Sequence, residues 1–105
     1  MSATPTIWVA DDDRSIRWVV ERALSNAHYA CETFETADAM LEALKTDAPD
    51  VVISDIRMPG TDGIGLLNAL RSSHPDIPVI ITTAHSDLDS AVISYEEGAF
   101  EYLPK

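Results

Sequence analysis

Two carboxylates, Asp11 and Asp12, follow the apolar run Ile7-Trp8-Val9-Ala10, and a third, Asp55, closes the run Val51-Val52-Ile53-Ser54. A run from Val79 to Ile81 ends in Thr82-Thr83, and the chain closes on Tyr102-Leu103-Pro104-Lys105. Acids, a hydroxyl and an amine are the groups that phosphoryl chemistry uses. A carboxylate can attack a phosphoryl donor and become an aspartyl-phosphate. That transfer needs positioning and charge neutralisation more than it needs acid/base groups. Three carboxylates at close range repel one another, and a divalent cation removes the cost. Oxygen-only ligands favour Mg²⁺ or Mn²⁺, and Mg²⁺ keeps several of its waters. The backbone carbonyl of Arg57 is a further candidate ligand. Asp55 is the candidate nucleophile because it ends a central strand. Thr83 and Lys105 would hold phosphoryl oxygens; Thr82 would face the other side if the strand continues regularly, and the choice between Thr82 and Thr83 turns on a register that periodicity alone does not settle. Asp13 reads as the cap of the helix that follows.

These residues converge only if the runs are parallel strands with their ends at one edge. The pattern between them fits. Ile16, Val19, Val20, Ala23, Leu24 and Ala27 recur with helical spacing and predict one buried stripe after a strand at Thr6–Ala10. Arg17 and Glu21 fall on another face as a solvated pair. A strand at Tyr29–Phe34 and a helix with Ala37, Met40, Leu41 and Leu44 inward come next. Val51–Ser54 is the third strand, and Met58–Gly63 a loop of turn residues. A helix at Ile64–Ser73 turns Leu66, Leu67 and Leu70 inward and stops at His74-Pro75. A strand at Val79–Thr82, a helix opened by Ser86 and stopped at Gly98, and a strand at Phe100–Leu103 complete the order. Strands alternating with helices predict an α/β fold: a doubly wound, flavodoxin-like, five-stranded parallel sheet in the order 2-1-3-4-5, with its site at the carboxyl edge.

With 105 residues the chain is a single domain. Its 18 acidic against 7 basic residues give a formal charge of −11, which repels nucleic-acid phosphates and argues against direct contact with DNA or RNA. The lone Cys31 excludes an internal disulfide and reads as a small residue buried in a strand, consistent with a cytoplasmic location. No apolar stretch approaches the roughly 20 residues of a membrane span. Trp8 and Trp18 read as packing residues. His28, His74 and His85 read as surface or loop residues.

Asp11-Asp12, Asp55-Ile56-Arg57-Met58-Pro59-Gly60-Thr61-Asp62-Gly63, Thr83-Ala84 and Gly98-Ala99-Phe100-Glu101-Tyr102-Leu103-Pro104-Lys105 occur in order across the chain. In these motifs it resembles the receiver (CheY-like) domain of two-component response regulators. The resemblance implies that Asp55 is the phosphorylation site, Asp12 a direct Mg²⁺ ligand and Asp11 one acting mainly through water. It also implies Thr83 as the switch hydroxyl, Tyr102 as the switch aromatic, Lys105 as the phosphate-binding amine, and a sensor histidine kinase as partner. Ile7 to Trp18, Ser54 to Gly60 and Thr83 to Asp89 are similar to the NtrC-type nitrogen regulators. That narrower likeness implies further ATPase and DNA-binding domains, and control of transcription with the nitrogen-type alternative sigma factor.

A helix usually follows the last strand of such a domain, so residues 1–105 read as a receiver truncated before its final helix. Sheet surface left bare there would favour self-association. The main rival is a Mg²⁺-dependent phosphatase with an aspartate nucleophile, but such enzymes want an acid at the position held by Arg57. A flavodoxin-like electron carrier would have to place a flavin phosphate against Asp11-Asp12-Asp13. A docking module without phosphate chemistry would have no use for the five site residues.

Overall fold

A computed structural model describes residues 4–58 and 60–82, together with the backbone of 83 and 101–104. The elements in chain order are β1 (Thr6–Ala10), α1 (Arg14–Asn26), β2 (Ala30–Phe34), α2 (Ala37–Ala43), β3 (Val51–Asp55), α3 (Gly63–Ser73), β4 (Val79–Thr83) and β5 (Glu101–Pro104). All pairings are parallel, and the sheet order is β2-β1-β3-β4-β5. The expected topology is therefore the observed one. The helix expected between β4 and β5 lies outside the described residues.

Right-handed crossovers dictate the layering. The connection from β1 to β2 runs one way along the sheet and those from β2 to β3 and β3 to β4 run the other. This puts α1 on one face and α2 and α3 on the opposite face. Against α2 and α3 the core closes around Trp8, Ala10, Met40, Val52, Leu66, Leu67, Leu70 and Ile81, all buried. Trp8 packs against Phe34 with ring centroids 5.1 Å apart. Ile7 and Val9 are buried on the alternate side of β1. Two covered faces explain why the central strands are apolar almost throughout. Asp50 joins the starts of β1 and β3: its carboxylate accepts from Thr6 N at 2.7 Å, and its own N–H donates to Thr6 O at 2.8 Å.

Local chemistry sets the helix ends. Asp13 Oδ1 accepts from Ser15 N at 2.8 Å and Ile16 N at 3.3 Å, capping α1 as expected. Thr36 caps α2 through Ala39 N at 3.1 Å, and Asp62 caps α3 through Gly65 N at 2.8 Å. α1 ends on His28, whose φ of 67° lets Tyr29 N donate back to Leu24 O at 2.9 Å. This left-handed stop usually falls to glycine or asparagine.

Three expectations need correction. The α1 stripe is oriented toward the sheet but is not buried. Ile16, Val20 and Leu24 are half-covered, whereas Val19, Ala23 and Ala27 are exposed. Among the described residues α1 packs chiefly on β2 and β1. Trp18 is accordingly 60% exposed, under the Arg22 guanidinium at 5.0 Å, and is not a core residue. Arg17, expected to pair with Glu21, instead donates from Nη1 to the Asp11 carbonyl at 2.8 Å. A partly shielded carbonyl at a fixed position offers it more than a mobile surface carboxylate.

Candidate phosphoacceptor site

The strand register brings the acids together. Ala10 partners Ser54, so Asp11 and Asp55 come next on adjacent strands. Nearest ligand oxygens of Asp11, Asp12 and Asp55 all lie within 4.8 Å of one another. Asp11 is 2% and Asp55 7% exposed, while Asp12 faces solvent. Two buried carboxylates and one open one form a pocket reachable from water.

Each wall of this pocket has its own anchor. On the β1 side, Asp11 Oδ1 accepts from Asp13 N at 2.9 Å, and Arg17 holds the Asp11 carbonyl. On the β3 side, the Asp55 carbonyl accepts from the buried Ser54 hydroxyl at 2.9 Å, and Ile56 N donates to Thr82 O at 3.0 Å. Gly63 N then donates to Ile56 O at 2.9 Å, returning the chain to the strand end. A Cβ at Gly63 would collide with the Asp55 carbonyl oxygen and approach Ile56 Cα to 2.8 Å. Glycine is thus required where α3 begins against the backbone of Asp55. An open cleft of about 440 Å³, lined by Asp12, Arg57, Met58, Gly60 and Asp62, borders the acids.

Three oxygens from three side chains suit a hard divalent cation. Octahedral Mg²⁺ at about 2.1 Å from its ligands separates opposite oxygens by roughly 4.2 Å. The observed spacing accommodates such an ion with small side-chain adjustments or bridging waters. The exposed Arg57 follows Asp55 by two positions and lines the cleft beside Asp12.

The remaining predicted residues are placed only in part. In the pairing of β3 with β4, Thr82 is level with Asp55 and its hydroxyl donates to Ser54 O at 3.4 Å. Thr83 is the next residue, and its backbone pairs with Pro104 of β5. Tyr102 is opposite Ile81 on β5. The Thr83 and Tyr102 side chains, and Lys105 altogether, lie outside the described residues. The roles of Arg17, Gly60, Thr61 and Asp62 around the cleft emerge only from the structure. Asp62 had a local signal, an aspartate directly before a helix. The others depend on contacts between distant segments.

The chain is similar to known proteins in sequence and in fold. The model of the response regulator receiver domain matches residues 7–105. The chain is 60% identical over 98 residues to the DNA-binding transcriptional regulator NtrC of Klebsiella pneumoniae, covering 93% of this chain and 21% of that protein. It is 38% identical to the C4-dicarboxylate transport transcriptional regulatory protein DctD of Rhizobium meliloti, covering 100% of this chain and 23% of the relative. It thus spans about a fifth of the length of these relatives. Among solved structures, the BeF3-activated receiver domain of nitrogen regulatory protein C superposes with a TM-score of 0.82 at 57% identity, covering 99% of this chain and 84% of that one. Full-length FixJ from B. japonicum gives 0.91 at 36% identity, covering 99% and 51%.

Proposed function

The chain belongs to the response regulator receiver domain family, and from that premise we propose that it is a phosphorylation-driven switch with Asp55 as its phosphoacceptor. The observation that carries this reading is the meeting of Asp11, Asp12 and Asp55 at the edge where β1 and β3 end. A sensor histidine kinase is the proposed donor. An Asp55 carboxylate oxygen attacks phosphorus, the bond from phosphorus to the donor breaks, and a mixed anhydride forms on the side chain. Asp12 and Asp11, with Asp55 itself and the Arg57 carbonyl, are the proposed Mg²⁺ ligands, Asp11 acting mainly through water. When bound, that ion supplies positive charge to the transferring group. Lys105 and the Thr83 hydroxyl are proposed to take two phosphoryl oxygens.

The signal is proposed to pass through Thr83 and Tyr102, on the neighbouring strands β4 and β5. Attraction of the hydroxyl toward the phosphoryl group would free space that the aromatic ring fills, shifting the segment between these strands. Identity to NtrC supports a more specific proposal. The domain would govern a transcription activator that has ATPase and DNA-binding domains and works with the nitrogen-type alternative sigma factor. Self-association, if it accompanies the switch, has exposed apolar side chains available at Trp18 and Val19. No described helix is long and apolar enough to cross a membrane.

Incubation with acetyl phosphate and Mg²⁺, followed by intact mass, tests the assignment. One phosphoryl adduct, labile to hydroxylamine and lost in Asp55→Asn, is expected. An adduct that persists undiminished in Asp55→Asn would overturn it.

A further inference from the structure

Arg57, Met58, Gly60 and Asp62 form the outer wall of the cleft, and its base is closed by the bond from Gly63 N to Ile56 O. A second attachment comes from elsewhere in the fold. Thr61 Oγ1 donates to Asp38 Oδ1 at 2.7 Å, across 23 positions of sequence. Asp38 lies in the first turn of α2, a helix set into the core by the fully buried Ala37 and Met40. The same carboxylate abuts Gly60: a Cβ there would be 2.9 Å from Asp38 Oδ2. Gly60 has a φ of 75°, which glycine adopts without strain. One carboxylate thus meets two successive residues of the wall, one through a hydrogen bond and one through close packing.

We propose that Asp38 and Thr61 are positioning residues: their hydrogen bond ties the cleft wall to α2 and thereby sets the affinity of the aspartate cluster for a divalent cation. The proposal rests on the reading of the cluster as a Mg²⁺-dependent phosphoacceptor site. The wall carries the Arg57 carbonyl, the candidate ligand supplied by the segment between β3 and α3. Mg²⁺ tolerates little departure from octahedral geometry, so freedom in that wall appears as lost affinity. A short hydrogen bond to a charged acceptor is among the stronger neutral-donor contacts, though exposure limits its net worth. Thr61→Val removes the donor while retaining shape and charge.

The test is a Mg²⁺ titration of the full chain followed by the backbone amide NMR shifts of Asp12 and Asp13. Thr61→Val is expected to raise the Kd about three- to tenfold, the equivalent of one net hydrogen bond. Thr61→Ser, which keeps the hydroxyl, is expected to stay within about twofold of wild type. In an Asp38→Ala background, Thr61→Val should change nothing further. Urea unfolding of each variant separates this effect from general loss of stability. An unchanged Kd in Thr61→Val, a loss in Thr61→Ser as large as in Thr61→Val, or equal effects of Thr61→Val in both backgrounds would overturn the proposal. If wild type binds Mg²⁺ and takes phosphate on Asp55 while Thr61→Val matches it, only the tether is refuted. If wild type does neither, the reading of the cleft fails and the tether fails with it.

Discussion

At Asp11 the main chain and the side chain are held by different partners. Arg17 fixes the carbonyl and Asp13 N the carboxylate, so the residue stays oriented although it is charged and 2% exposed. Charge is treated differently at Cys31 on β2. Burial pushes its thiol up from 9.0 to about 11, and the carboxylates of Glu21 and Glu32 push the same way. The thiol should therefore stay protonated and unreactive between those two values. Iodoacetamide labelling there should be markedly slower in the native protein than in urea. The sign for stability follows: ionisation costs more in the folded state, so folding weakens as pH rises above 9.0. Equal labelling rates in the two states would contradict this. Residue types disclosed the three aspartates because their chemistry is evident wherever they lie. Arg17 was misread because i, i+4 spacing shows Glu21 as a neighbour and cannot show a carbonyl in the preceding loop.

Helices here begin on side chains that the sequence displays and end on backbone geometry that it conceals. Asp13, Thr36 and Asp62 each accept from the first turn of their helix. Asp13→Ala should cost about 1 kcal/mol, measured as a lower urea midpoint with an unchanged slope. A midpoint equal to wild type would mean that water replaces the cap at no cost. The end of α1 had no such signal, because His28 occupies the left-handed position without being glycine. Its apolar spacing therefore seemed to continue to Ala27. Strand positions were legible to within a residue or so because apolar runs bounded by proline and aspartate allow few alternatives. The extent of burial was less legible. Helical spacing identifies the inward side of α1 but cannot say what lies beside the helix.

For the molecule as a whole, alternation of strand and helix with right-handed crossovers gave the doubly wound class, and the order 2-1-3-4-5 was the one common to five-stranded sheets of that class. The cleft was only half legible. Its inner acids stand at strand ends, but its outer wall is shaped by α2, which contributes no residue to the chemistry. The sheet also separates the two indoles. Trp8 is 1% exposed, with no hydrogen-bond partner for its Nε1 among the described residues, whereas Trp18 is 60% exposed on α1. A dry, unbonded indole emits at shorter wavelength than a wet one, and acrylamide quenches only the ring it can collide with. Light from this protein therefore carries two separable channels. Once the outer one is quenched, the remaining blue emission comes from a ring three positions before Asp11, and an event at the acids can be watched without attaching a dye.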